Sequence, residues 1–223
     1  MREFARRHGI ELFWEVGRVG IEHALVPELG LVAPGDLVIG ADSHTCTYGA
    51  LAAFGTGIGS TDFAAAMAWG RAWMRVPESI RFVYHGELGP YVTGKDLILD
   101  TIGRIGVDGA LYSAMEFTGE AIDGLSMDGR LTMCNMAIEA GGKAGIVGYD
   151  ETTRAYLAGR PEGSRARVAG EVFASDPDAE YAQVLEIDAA AVPLTVSLPP
   201  LPSNSRPAQQ TAGIRIDHVG LGS

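Results

Sequence analysis

The side chains best suited to chemistry in this sequence are two imidazoles, two carboxylates, a hydroxyl and an amide: His23, His44, Asp42, Glu139, Ser43 and Asn135. Asp42, Ser43 and His44 are contiguous within Gly40-Ala41-Asp42-Ser43-His44-Thr45-Cys46-Thr47-Tyr48-Gly49. An imidazole paired with a carboxylate has its tautomer fixed and its basicity raised, which prepares it to move a proton. Glu139 is the candidate partner for His44. Asp42 could serve another imidazole, and His23 is the nearest upstream. Asn135 and Glu139 are four residues apart, so a helix would place them on one face. If they are buried among Met133, Met136, Ala137 and Ala140, they need polar partners. A plainer reading also stands, in which Asp42 and Ser43 bond local backbone in an Asx-type turn, Glu139 is solvated and Asn135 caps a nearby group.

The elements that must position these groups are legible from pattern. Leu37-Val38-Ile39 is a short β-branched run after the turn Pro34-Gly35-Asp36 and reads as a buried strand. Asp42-Ser43-His44 then follows the strand's C-terminal end, where ligands bind in open α/β sheets. Residues 1–8 read as the last turns of a helix closed by Gly9, Ile10–Val16 as a strand, and Gly17–Gly30 as a mixed segment holding His23. Ser60-Thr61-Asp62 reads as an N-cap opening a largely buried helix over Phe63–Met74. Ser79–His85 alternates as a strand. Leu97, Ile98, Ile102 and Ile105 recur at helical spacing after Thr93. Leu111–Phe117 reads as a strand, and Leu125–Asp128 starts a helix that ends at Gly141-Gly142. Ala144–Val147 is a strand, Asp150-Glu151-Thr152-Thr153 opens a helix through Leu157, Pro161–Arg167 is loop and Ala179–Leu185 is a short helix. Five prolines from Pro193 to Pro207 mark a linker, and Ile214 begins another strand. Alternation of strand and helix predicts α/β layers with a mostly parallel sheet.

Bulk properties narrow the function classes. The chain has 223 residues, 47% of them apolar, and a formal charge of -11, which argues against nucleic acid or an anionic membrane as partner. No apolar run approaches the roughly 18–20 residues that span a bilayer. Met1–Arg7 lacks the apolar core of a secretory signal, so a cytoplasmic location is expected. Two cysteines, Cys46 and Cys134, are then expected as free structural thiols, outside any C-x-x-C pair and without a closed thiolate metal site.

Taken together, several blocks resemble the aconitase superfamily over about Phe4 to Ser223. They are Gly40-Ala41-Asp42-Ser43-His44-Thr45, then Phe54-Gly55-Thr56-Gly57-Ile58-Gly59-Ser60-Thr61-Asp62, then Met133-Cys134-Asn135-Met136-Ala137-Ile138-Glu139-Ala140-Gly141, and Asp150-Glu151-Thr152-Thr153 before Tyr156-Leu157. The resemblance implies three-layer α/β/α domains with mainly parallel sheets, incomplete at both ends. Residues 1–76 would be the C-terminal part of a first domain, 77–195 a second α/β domain, and 196–223 a linker with the first strand of a third. It also implies a hydro-lyase that moves a hydroxyl between adjacent carbons through an alkene. In the family a 4Fe–4S cluster on three thiolates leaves one iron open as Lewis acid. By the resemblance His23, Asp42, His44 and Glu139 are catalytic, Ser43 contacts a substrate carboxylate, and Asn135 lies near the cluster. Cys134 falls at no ligand position, and Cys46 matches no assigned role.

Departures from the pattern shape what is expected of this chain. The first cluster cysteine follows a Gly-Ser like Gly222-Ser223, and the other two form a later C-x-x-C pair, so the metal ligands are expected after Ser223. An N-terminal His–Asp pair, the substrate-clamping arginines and the swivel domain or small subunit that supplies the base are also expected outside these residues. No cluster is therefore expected on this segment alone. The expected partners are a small swivel-domain subunit and a hydroxy-di- or tricarboxylate, and the setting is leucine biosynthesis if the substrate is isopropylmalate. Homoaconitate stays open, and citrate is less favoured. A non-catalytic scaffold and a mononuclear-metal relative using His23, His44 and Glu139 are the remaining readings.

Overall fold

The structure is a computed structural model that describes residues 1–161 and 174–220. It is an α/β arrangement with two parallel sheets and one small antiparallel hairpin. Helices α1 (Arg2–Arg7) and α2 (Glu22–Glu28) precede β1 (Leu37–Gly40). A nine-residue 3-10 helix, Ser43–Leu51, crosses to β2 (Phe54–Gly57), which pairs parallel with β1 in the register Leu37↔Phe54 to Gly40↔Gly57. A parallel pair requires such a crossover, normally an α-helix; here the tighter turn brings the two strands together in few residues.

Helix α3 (Ser60–Trp69) leads to β3 (Ser79–His85), α4 (Gly94–Ile105), β4 (Ala114–Thr118) and the short α5 (Glu120–Asp123). Helix α6 (Met127–Asn135) continues into a second 3-10 turn, Met136–Ala140, and β5 (Ala144–Val147). Helix α7 (Glu151–Ala158), β6 (Gln183–Asp188), and the hairpin of β7 (Thr195–Ser197) with β8 (Ser205–Pro207) complete the order. The four-stranded sheet runs β5-β4-β3-β6, parallel throughout. Phe82, Tyr84, Phe117, Leu97, Ile98, Ile102, Met115 and Met133 are buried in one core beneath it. Thr93 and Asp96 make a reciprocal capping box at α4, as the periodicity after Thr93 suggests.

The 3-10 helix is the joint between the two parallel sheets. Gly49 on that helix faces Gly145 on β5, and a Cβ on Gly49 would lie 1.6 Å from the Gly145 carbonyl oxygen. Only glycine permits that approach. At the other end, a Cβ on Gly57 of β2 would lie 2.6 Å from the Asp42 carbonyl oxygen, so the Asp42-Ser43 turn sits directly on the end of β2.

Several expected elements differ. Ile10–Val16 forms no strand: Gly9 adopts a left-handed φ of 64°, and no neighbouring strand pairs with the segment among the described residues. The segment holding His23 is helical, which places that imidazole on α2. Helix α3 starts at Ser60 with Gly59 at its cap position and stops at Gly70, and only Ala66 is buried. Its alanines favour a helix but its apolar residues form no single stripe, and Trp69 (73% exposed) on it and Trp73 (91%) beyond its end face solvent. Ala179–Leu185 is not a helix: Val184, Leu185 and Ile187 pair as β6 against Arg81, Phe82 and Tyr84. Tertiary pairing overrides local propensity there. The proline-rich stretch is docked, since the Thr195 N–H donates to Asp96 Oδ1 at 2.8 Å and Thr195–Ser197 pairs with Ser205–Pro207. Residues 214–220 contain no strand, and the expected loop over 162–167 and Gly222-Ser223 lie outside the described residues.

Candidate active site

The site is built at the C-terminal end of β1. Asp42 caps the 3-10 helix: its Oδ1 accepts from the His44 backbone N–H at 2.8 Å, the local turn that the plainer reading anticipates. The same oxygen lies 2.9 Å from His23 Nε2 on α2. The turn and the histidine pair therefore coexist on one carboxylate. The His23 contact, then the His44 amide, hold the Asp42 carboxyl below its ordinary range. Asp42 is consequently the anionic acceptor, and the shared proton is on His23 Nε2.

His44 reaches the other way. Its Nε2 is 3.0 Å from Glu139 Oε1, across 95 residues of sequence. Glu139 sits in the 3-10 turn after α6, not on the helix itself, because the chain tightens at Met136 before Gly141 ends the turn in a left-handed conformation. Ser43 Oγ is 3.2 Å from His44 Nδ1. With Glu139 Oε1 accepting the Nε2 proton, Nδ1 is the acceptor and Ser43 the donor. The rings of His23 and His44 lie 6.3 Å apart, so the two histidine–carboxylate pairs share one small face that includes the exposed Asp42 and Ser43. Glu139 Oε2 is buried with no hydrogen-bond partner among the described residues.

Asn135, expected on one helical face with Glu139, ends α6 while Glu139 lies in the 3-10 turn that follows. Its Nδ2 donates to Thr47 Oγ1 at 2.8 Å, and Thr47 donates to the His44 carbonyl at 2.6 Å. Asn135 thus reaches His44 through Thr47, a residue the sequence reading leaves without a role. The available signal was spacing: residues three apart eclipse on a 3-10 helix, so Thr47 stands over His44 once that helix type is known.

Cys46 and Cys134 are both free and buried. Cys46 Sγ donates to the Asn135 carbonyl at 3.3 Å. Burial pushes the Cys46 thiol up to about 12 and raises Cys134 as well. Both are packed thiols, and with two cysteines in the sequence the chain lacks the number of thiolates a 4Fe–4S cluster takes. Among the described residues no three His, Cys, Asp or Glu side chains are grouped to hold a metal ion. The donor set of this chain does not fit a 4Fe–4S cluster by itself.

A second polar centre joins α6 to the start of α7. Arg130 on α6 is fully buried and forks onto Asp150, with Nη1 to Oδ1 at 2.7 Å and Nη2 to Oδ2 at 2.6 Å. Nη2 also donates to the Asp123 carbonyl at 3.0 Å. Burial works to raise Asp150, but the Arg130 fork and the Thr153 amide outweigh it, leaving the carboxyl below its ordinary value. Asp150 caps α7 at the same time. No helix among the described residues is long and apolar enough to cross a membrane.

The family profile described as aconitase family (aconitate hydratase) matches residues 1–217. The chain is 59% identical over 224 residues to a 3-isopropylmalate dehydratase large subunit of Desulfitobacterium hafniense, covering all of this chain and 52% of that protein. It is 60% identical over 223 residues to the like-named protein of Moorella thermoacetica, again with 100% and 52% coverage. For that of Aquifex aeolicus the identity is 58% over 223 residues, with 100% and 50% coverage. The chain spans about half the length of the curated relatives it matches.

Proposed function

The chain belongs to the aconitase family, and from that membership we propose that it is a segment of a hydro-lyase large subunit interconverting 2-isopropylmalate and 3-isopropylmalate in leucine biosynthesis. The observation that carries the proposal is the contact between His44 Nε2 and Glu139 Oε1 at 3.0 Å, standing beside the His23–Asp42 pair at 2.9 Å. Dehydration removes hydroxide from one carbon and a proton from its neighbour, and rehydration reverses both. A departing hydroxide needs a proton, and a histidine backed by a carboxylate can hold and return one. In this reading His44 with Glu139, and His23 with Asp42, are the groups that hold protons at the substrate. Ser43 presents its hydroxyl to a substrate carboxylate. Asn135 acts on His44 through Thr47.

The cluster, the substrate-clamping arginines and the catalytic base belong, in this reading, to parts of the enzyme other than these 223 residues. The names of the relatives as large subunits support a small-subunit partner. A first domain up to about residue 76 and a second from 77 to 195 belong to the same proposal, with β1–β2 in the first and the four-stranded sheet in the second.

The test is reconstitution. The chain is mixed with polypeptides covering the rest of a relative's large subunit and with a small subunit, under iron and sulfide, and 2-isopropylmalate turnover is followed. Turnover is expected only when every component is present. Dehydration by the chain alone, or equal turnover with the chain left out, would overturn the proposal.

A further inference from the structure

Tyr48 lies on the 3-10 helix with its hydroxyl 3.4 Å from His23 Nδ1. Its ring sits 5.7 Å from the His23 ring and is only 3% exposed. His23 therefore has a partner on each nitrogen, Asp42 on Nε2 and Tyr48 on Nδ1. The helix that carries His23 adds only a looser carboxylate, Glu22 Oε1 at 3.7 Å from the same Nε2. That helix is seven residues long, contains Pro27, and has no side-chain cap at its start. We infer that Tyr48 is a positioning residue that donates its hydroxyl proton to His23 Nδ1 and so locks His23 as the Nε2–H tautomer facing Asp42. The inference rests on reading the His23–Asp42 pair as part of the working site.

The proton inventory supports this assignment. Asp42 is an anionic acceptor, so the hydrogen between it and His23 is the Nε2 hydrogen. A neutral imidazole then has a lone pair on Nδ1, and a phenol is the donor that matches it. Burial raises the Tyr48 hydroxyl above its ordinary value, with Glu22 and Asp42 adding to the effect, so the phenol keeps its proton. The arrangement fixes the ring from both ends and closes Nδ1 to any other proton. Proton traffic at His23 is thereby confined to Nε2. Nothing else in this stretch supplies that constraint, because Ser43 is turned to His44 and Thr47 to the His44 carbonyl.

The test reads the tautomer directly. The 223-residue chain is labelled with nitrogen-15 histidine and its ring nitrogens are recorded at alkaline pH, where imidazoles are neutral; His23→Gln assigns the signals. Wild type is expected to show His23 protonated on Nε2, with a hydrogen-bonded Nδ1. Tyr48→Phe keeps the ring and its packing, and its melting temperature verifies the fold. In that variant the His23 Nδ1 resonance is expected to move downfield toward that of a free acceptor nitrogen, while His44 stays in place. A His23 protonated on Nδ1 in wild type, or an Nδ1 resonance unmoved by Tyr48→Phe, would overturn the inference. Asp42→Asn separates the two levels. If it moves His23 while Tyr48→Phe does not, the pair stands without Tyr48; if neither does, the pairing fails as well.

Discussion

Asp42 Oδ1 accepts from the His44 amide and from His23 at once, so its charge serves both the local turn and the histidine pair. Its folded value lies below its unfolded one. The stabilisation it contributes is therefore present above the unfolded carboxylate value of about 4 and is lost as pH falls through the lower folded value. Asp42→Asn keeps an oxygen for the His44 amide and removes the charge. Urea midpoints measured between about pH 5 and pH 2 should fall more steeply for wild type than for Asp42→Asn. Equal slopes would mean that the His23 contact carries no linked stability. The carboxylate is half exposed, so solvent screens the effect and it is expected to be small. The histidine–carboxylate pairs were legible in the sequence because the residue types admit few partners. Thr47 and Tyr48 were not, because their roles depend on a helix type that spacing alone does not announce.

At the scale of elements, two close contacts set the geometry. Gly49→Ala would place a methyl carbon 1.6 Å from the Gly145 carbonyl oxygen, backbone against backbone. The joint between the sheets would have to separate, and a loss of about 3 kcal/mol or more is expected in urea unfolding. A loss below about 1 kcal/mol would show that the 3-10 helix does not pack on β5 as described. Arg130 and Asp150 make the second contact. Asp150→Ala strips from a buried guanidinium its one carboxylate partner among the described residues and uncaps α7, at an expected cost of about 3–5 kcal/mol. Chemical unfolding checks this, and a change under about 1 kcal/mol would contradict the buried fork. Strands and helices with strong local signals were readable: Ser79–His85, the capped helix after Thr93, Ala144–Val147 and the helix opened by Asp150. β6 was not, because the segment Ala179–Leu185 suits either state until β3 offers an edge. The docked hairpin was hidden behind its prolines, since the Asp96 contact that anchors it comes from 99 residues away.

At the scale of the whole molecule, a two-stranded parallel sheet and a helix with one buried residue accompany a well-packed four-stranded core. Parallel sheets are ordinarily covered on both faces, whereas Trp69 (73% exposed) and Trp73 (91%) face solvent. The order of motifs made the fold class and the family readable. The exposure of α3 was not readable, because an alanine-rich apolar helix looks buried in sequence. The central claim is that the two histidine–carboxylate pairs of this chain do acid–base work in a hydro-lyase. Its most direct test is the turnover number of the reconstituted enzyme carrying Glu139→Gln, set against wild type at equal cluster content. Loss of a working acid–base pair predicts a fall in kcat of roughly 10²-fold or more. A kcat within about threefold of wild type would show that the His44–Glu139 pair is structural and contradict the account.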